Sequence, residues 1–551
     1  MQRSIRRLVL TTAFGAFALS AQAASDATRR QPQLPDRSCL DPIATGQAQR
    51  QADPVLVEGL GYAGLEPDSD QVEARAWFAQ GVRLVWAFDE AEAIRAFQQA
   101  QRLDPNCALC FFGEAWARGP TINLQPRTEE LVAARGAARR ALALSQQLGD
   151  RDRLLVQAMA LRTRDGAAFN NRGYAAFMAR AARRMPQDDT IAVMAADARM
   201  VLSPNIRPGS FAQQLLERVL ARNPGHGGAI HFYIHLTDWI DRQALAVPYA
   251  ERLGRIAPAA SHLVHMPSHS FYGVGRYRDA AAVNVAAIAA DSAYERRVRP
   301  PRSDYRTALR AHDMHFAMNS ALVRGDAVTA RIVAAQYRAE YLAGTPDDWG
   351  RLLGSSVYFT AGLHDDPRAV MALPEPSNAL LKVFRHYARG EASARARNAG
   401  AVGAEARAIA AIRRGTAAPS LGAQGAKLAE VIQYVLDGRA AMLAGQPRVA
   451  EAAFRRAMER QLAGDFGNDP PLFWYSVRRS LAAARLAAGD PRGARAQLLA
   501  SLRNWPDDPL ALYVLSLAER RLGQSEAAER NLARARSIWA GDLTQIPLER
   551  I

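Results

Sequence analysis

From about Val72 onward, apolar residues recur at the three-to-four-residue spacing of one helix face. No stretch of useful length alternates apolar with polar as a half-buried strand does. Turn residues interrupt the helical pattern at a fixed phase. Asp241 stands seventeen residues before Pro258, and Gly489 seventeen before Pro506. Gly275 follows Asp241 by 34, and Gly523 follows Gly489 by 34. A period of 34 predicts stacked helix–turn–helix units, each burying its apolar face on the next. The predicted fold is all-α, a right-handed α-solenoid. Gly325 and Gly445 mark further turns, reached through longer insertions. The repeat signal covers roughly 72–345 and 426–545, and the segment between is helical but irregular, with breakers at Pro367, Pro374, Pro376 and Pro419.

The residues around the first turn carry a resemblance. Phe88, Ala93, Phe97, Ala100, Asp104 and Pro105 stand where a tetratricopeptide repeat has its turn, its small and aromatic packing residues and its closing Asp-Pro. Gly275-Arg276-Tyr277-Arg278-Asp279-Ala280 resembles the turn and second helix of that repeat equally well. Small residues let paired helices approach, and proline ends the second helix.

Ahead of the repeats, residues 1–23 read as a secretory signal. Arg3, Arg6 and Arg7 form its basic region, Leu8–Leu19 its apolar core and Ala21-Gln22-Ala23 its cleavage site. The core is too short to span a bilayer as a helix, and no later stretch approaches the roughly 18 apolar residues a span needs. The expected organisation is a signal (1–23), an extended lead-in (24–70), a first repeat block (71–345), the irregular helical segment (346–425) and C-terminal repeats (426–551). The expected location is periplasmic or secreted, with no integral membrane segment once the signal is removed. The formal charge of +16 falls to +13 without the three signal arginines. Lysine occurs only at Lys382 and Lys427, so the positive charge is arginine spread along helix faces rather than a dense run with interleaved aromatics. Nucleic acid is therefore not the expected partner.

Histidine is the residue whose placement changes the picture. Eight of the ten lie within 226–315. His231, His265 and His315 stand ten residues before the turns at Asp241, Gly275 and Gly325. His235 and His269, with Asn319 in the third repeat, stand six before. His262 and His312 stand thirteen before, where the first repeat has Gly228. Slots three, four or seven apart share one helix face, and adjacent first helices lie about 8–10 Å apart, so imidazoles of successive repeats can converge on one ion. The resemblance places that face on the concave groove. The candidate metal ligands are His231, His235, His262, His265, His269, His312 and His315. Asp238, three past His235, is either a further ligand or the acceptor that fixes an imidazole tautomer. Seven histidines exceed one tetrahedral site, so two ions, or one ion backed by further histidines, both remain open. Histidine-only ligation in an exported chain favours copper or zinc, and Met266, Met314 and Met318 lean toward copper. The spacing is not that of a zincin, since Phe232 stands where its glutamate would follow the first histidine. His226 belongs to the Gly225–Gly228 turn.

The phrases His231–Asp238, His262–Arg276, His312–Phe316, Cys107–Asn123 and Pro470–Arg478 also resemble those of a group of exported bacterial tetratricopeptide proteins with histidine-rich repeats. The resemblance implies the fold and the importance of the groove, and it names no reaction. Glutamate is expected in that group where this chain has Asp238. Two functions follow: a metal-dependent oxidoreductase or hydrolase acting on a small molecule, or a metal-free scaffold holding a peptide or protein partner in the same groove. Of three cysteines, Cys39 is expected to pair with Cys107 or Cys110, or the pair simply packs. The loop Pro470-Pro471-Leu472-Phe473-Trp474-Tyr475 is expected to pack, with Arg478 and Arg479 behind it as candidates for an anionic ligand. Oligomeric state is not legible.

Overall fold

The computed structural model describes residues 53–551 except Pro204, Thr345 and 465–468, and only the backbone of Asp304. The signal segment and Cys39 lie outside the described residues. Among the described residues every regular element is helical, and no helix is long and apolar enough to cross a membrane. The helices form antiparallel pairs, as in Val72–Trp86 with Glu90–Leu103 and Asp304–Arg324 with Ala327–Tyr337. The chain is an α-solenoid of tetratricopeptide-like repeats.

The turns explain the pairing. Gly275, Gly325, Gly445, Gly489 and Gly523 all have φ between 70° and 87°, the left-handed region glycine enters without steric cost. Asp241 (55°), Arg397 (57°) and Phe88 (56°) take the same conformation in their own turns. Asp188, Asp326, Asp490 and Asp508 then cap the following helices by accepting from backbone N–H groups. Small residues close the pairs. The Phe97 ring packs so tightly on Gly81 and Gly113 that a Cβ at either would lie within 2.6 Å of it. The irregular 346–425 stretch holds one further pair, Ala379–Arg395 with Ala399–Arg414, turning at Arg397. Like the turns at Phe88 and Asp241, its turn has no glycine.

Two features position the site. The described part of the lead-in is laid across the repeats: Gln80 bonds the backbone of Val55 and Val57, Trp86 Nε1 donates to the Ala63 carbonyl, and Ala259 N donates to Gly59 O. The C-terminal repeats also return onto the histidine-bearing ones. Tyr277 Oη donates to Pro506 O at 2.8 Å, and Ala540 N to Arg324 O at 2.8 Å. The aromatic loop at 470–475 is buried there. Arg479 is ion-paired with Asp508 at 3.0 Å and lies over the Tyr475 ring, while Arg478 donates to Gln497, so neither guanidinium is set out for an anionic ligand. Cys107 and Cys110 are bonded to each other at the start of the Ala108–Ala117 helix, which corrects the expected bond to Cys39.

Candidate metal centre

The Gly227–Trp239 helix puts His231 and His235 one turn apart on its inner face. The next first helix is broken in two, Ser261–His265 and Pro267–Gly273, because Pro267 has no N–H to continue the ladder. Its first half brings His262 to the same point. His231 Nδ1 donates to the Trp86 carbonyl at 2.6 Å, and since a carbonyl only accepts, the tautomer is fixed and Nε2 carries a bare lone pair. That Nε2 lies 3.1 Å from His262 Nε2 and 3.2 Å from His235 Nε2. Three nitrogens on one ion at 2.0–2.1 Å would stand roughly 3.3 Å apart in tetrahedral geometry. Without an ion, His231 Nε2 has one lone pair for two facing rings, and the buried Nδ1 atoms of His235 and His262 have no hydrogen-bond partner. This is triad A.

Triad B repeats the construction one unit on, from His265, His269 and His312. His265 Nε2 and His269 Nε2 are 2.9 Å apart, and the His312 ring centre lies 4.9 Å from that of His265. Here the far nitrogens meet side-chain oxygens. His265 Nδ1 faces Asn284 Oδ1 at 2.6 Å and Asp313 Oδ1 at 3.0 Å, and His269 Nδ1 faces Asp469 Oδ1 at 2.9 Å. Each triad thus takes the slots ten and six before one turn and the slot thirteen before the next. The triads are neighbours: His262 stacks on His265 at 5.7 Å between ring centres, and His235 lies 5.9 Å from His269.

The third repeat does not continue the series. His315 Nε2 accepts from Asn319 Nδ2 at 3.2 Å and its Nδ1 donates to Ser356 Oγ at 2.9 Å, while Asn319 Nδ2 also donates to Pro471 O. Asn319 and Ser356 stand where further imidazoles would be needed, and the structure brings His315 to neither triad. Asp238 Oδ2 is 3.9 Å from His269 Nδ1, and its Oδ1 accepts from Gln243 at 3.0 Å. It sits behind triad B, not among the converging nitrogens. His226 caps the Gly227–Trp239 helix through Nδ1, and Gly228 leaves the room that the Trp86 ring fills.

Burial sets the charge state. Five of the six triad histidines are at most 5% exposed, so the cluster is enclosed by the repeats instead of lining an open groove as expected. His312 keeps 12% of its side chain exposed. Burial brings His231 down to about 3 and, with neighbouring imidazoles, holds His235, His262 and His265 well below the usual histidine range. Burial lowers His312 too. All five are neutral near pH 7, the form that ligates a metal. Burial also pulls on His269, but Asp469 outweighs it and raises His269 above the ordinary value. Burial would raise Asp469, yet the charge of His269 opposite holds it below the carboxylate range. Phe88 and Phe232 pack on triad A, and Phe316 on triad B. Asp469, Asn284, Ser356 and the Trp86 carbonyl were not visible in the histidine lattice. Only the phrase beginning at Pro470 pointed near the first of them.

No family model matches the chain, and no curated protein matches it. Solved structures with overlapping helical arrays include the human IFIT1 dimer with m7Gppp-AAAA, at 11% identity over 86% of this chain and 92% of that one, TM-score 0.30. The Cut9–Hcn1 assembly of the APC/C follows at 13% identity, covering 83% and 79%, TM-score 0.29. Naa15/Naa10 bound to HypK-THB stands at 12%, covering 87% and 90%, TM-score 0.23.

Proposed function

We propose that this protein is an exported repeat solenoid holding a pair of transition-metal ions, one per histidine triad, and that it acts as a metal-dependent oxidoreductase. The observation that carries the reading is the convergence of three Nε2 atoms at 3.1 and 3.2 Å, with a second triad built the same way beside it. His231, His235 and His262 hold one ion, and His265, His269 and His312 the other. Copper and zinc both suit imidazole donors. Copper is the better fit to triad A, where three neutral donors sit in an aromatic wall with no carboxylate among them, and two adjacent redox ions supply a two-electron step. Zinc would make the centre a water activator and the reaction a hydrolysis. The peptide-scaffold alternative loses its support from the burial of the rings, which an extended chain lying in the groove would not reach.

Elemental analysis of protein exported into metal-replete medium tests this. Two equivalents of copper per chain are expected. Two of zinc would move the reading to a hydrolase, and less than about 0.2 equivalents of any transition metal would overturn it.

A further inference from the structure

A cleft opens from the surface onto triad A. Its enclosed space is small, about 30 Å³, and it is lined by His262, Phe88, Leu60, Leu84, Leu309 and Tyr294. Both arginines of its lining are answered by acids, and Asp313, a further acid there, faces His265 Nδ1 at 3.0 Å. Arg306 pairs with Asp291 at 2.9 Å and Asp89 at 3.7 Å, and Arg310 pairs with Asp291 at 2.9 Å and Glu340 at 2.8 Å. An anionic ligand finds no unneutralised cation among these walls, and an apolar one finds leucine.

Of triad A only His262 lines the cleft, and Phe88 stands beside it over the other two rings. Its ring lies 4.3 Å from that of His231, 5.6 Å from His262 and 6.1 Å from His235, nearly parallel to the last two at 24° and 23°. It also stands in a left-handed turn, φ 56°, where five other repeats use glycine. A bulky side chain in that conformation is an outlier, and strain of this kind gathers at functional sites. Helix pairing requires the turn, not the ring, since glycine makes the same turn elsewhere. What the phenylalanine adds is a flat apolar group laid over three imidazoles.

We propose that triad A is the substrate side of the centre, that the cleft admits a neutral aromatic molecule of about one ring only when the Phe88 side chain swings away, and that this ring takes the place of that side chain against His262 and His235 while a hydroxyl oxygen reaches the ion. The proposal rests on the metal-centre reading. It names an aromatic alcohol of the phenol or catechol kind as the ligand class and Phe88 as the residue that must move.

The test uses the full chain loaded with copper, with metal content measured first for every variant. 4-Nitrocatechol is mixed in at a pH below its first ionisation, where it is neutral, and its absorbance shift on binding the ion is followed in time, with azide as a small control. Phe88→Gly suits the turn and removes the ring; it should speed nitrocatechol binding about ten-fold or more. Leu309→Trp, at the half-buried cleft wall, should slow it about as much while altering azide binding less. His235→Ala, which dismantles triad A alone, should abolish the shift. Two equivalents of copper with no nitrocatechol shift, or with rates unchanged in both cleft variants, would overturn this inference and leave the metal centre standing. A wild-type chain that takes up no metal would remove both.

Discussion

Triads A and B occupy the same slots of successive repeats and differ in what stands behind the rings. Behind A is a backbone carbonyl, Trp86 O, and a wall of Phe88 and Phe232. Behind B are Asn284, Asp313 and Asp469. A carboxylate accepting from an imidazole N–H makes the opposite nitrogen a stronger donor and fixes its orientation. Triad B is therefore the firmer seat for a doubly charged ion, and triad A the softer one. A repeat lattice can duplicate a ligand set and still make the copies unequal, because the backing residues differ between repeats and one of them, Asp469, comes from outside the duplicated unit.

The largest test of that contrast is His235→Ala. Of the two ions proposed, it should remove one and leave the other, read by elemental analysis with far-UV circular dichroism unchanged; loss of both would mean that the triads do not load independently. Next is Asp508→Ala, which strands the buried Arg479 that holds Trp474 and Tyr475. It should cost about 3–5 kcal/mol in denaturant unfolding and, through the displaced loop, weaken triad B more than triad A. Asp469→Asn acts on the contrast directly. It should lower the affinity of triad B about 10–100-fold in a chelator competition, with triad A unmoved. The smallest effect belongs to Gly445→Ala, at φ 70° with nothing within 4 Å of the added Cβ. It should cost about 1 kcal/mol and change neither ion.

The turn residues and the slots ten, six and thirteen before them gather seven histidines on one face and leave one ion or two open, since a period in sequence becomes a period in space when repeats stack; the division into two triads is visible only in the structure. The same counting misplaced His315. Its slot is right, but Asn319 and Ser356 turn that position into a hydrogen-bonded knot, and a slot is only a ligand site when its neighbours are ligands too. Asp469 could not be counted at all. It arrives from a loop about 200 residues beyond His269, brought over by the return of the C-terminal repeats onto Tyr277 and Arg324. The enclosure of the cluster was missed for the same reason, because the lead-in and that loop both lie outside the repeat pattern. The Cys107–Cys110 bond sat in plain view as a two-residue spacing and needed only the helix start between them.

Each triad draws its third imidazole from the repeat after the one that gives the first two. An ion held there is a clasp across a seam. Stacked repeats ordinarily part at the seams, one neighbour at a time, and a ligand that binds only the assembled state adds its binding free energy to the joint it spans. The two clasps would lock the units carrying His231, His265 and His312 into a block that unzips as one, and stripping the metal would give the seams back their independence.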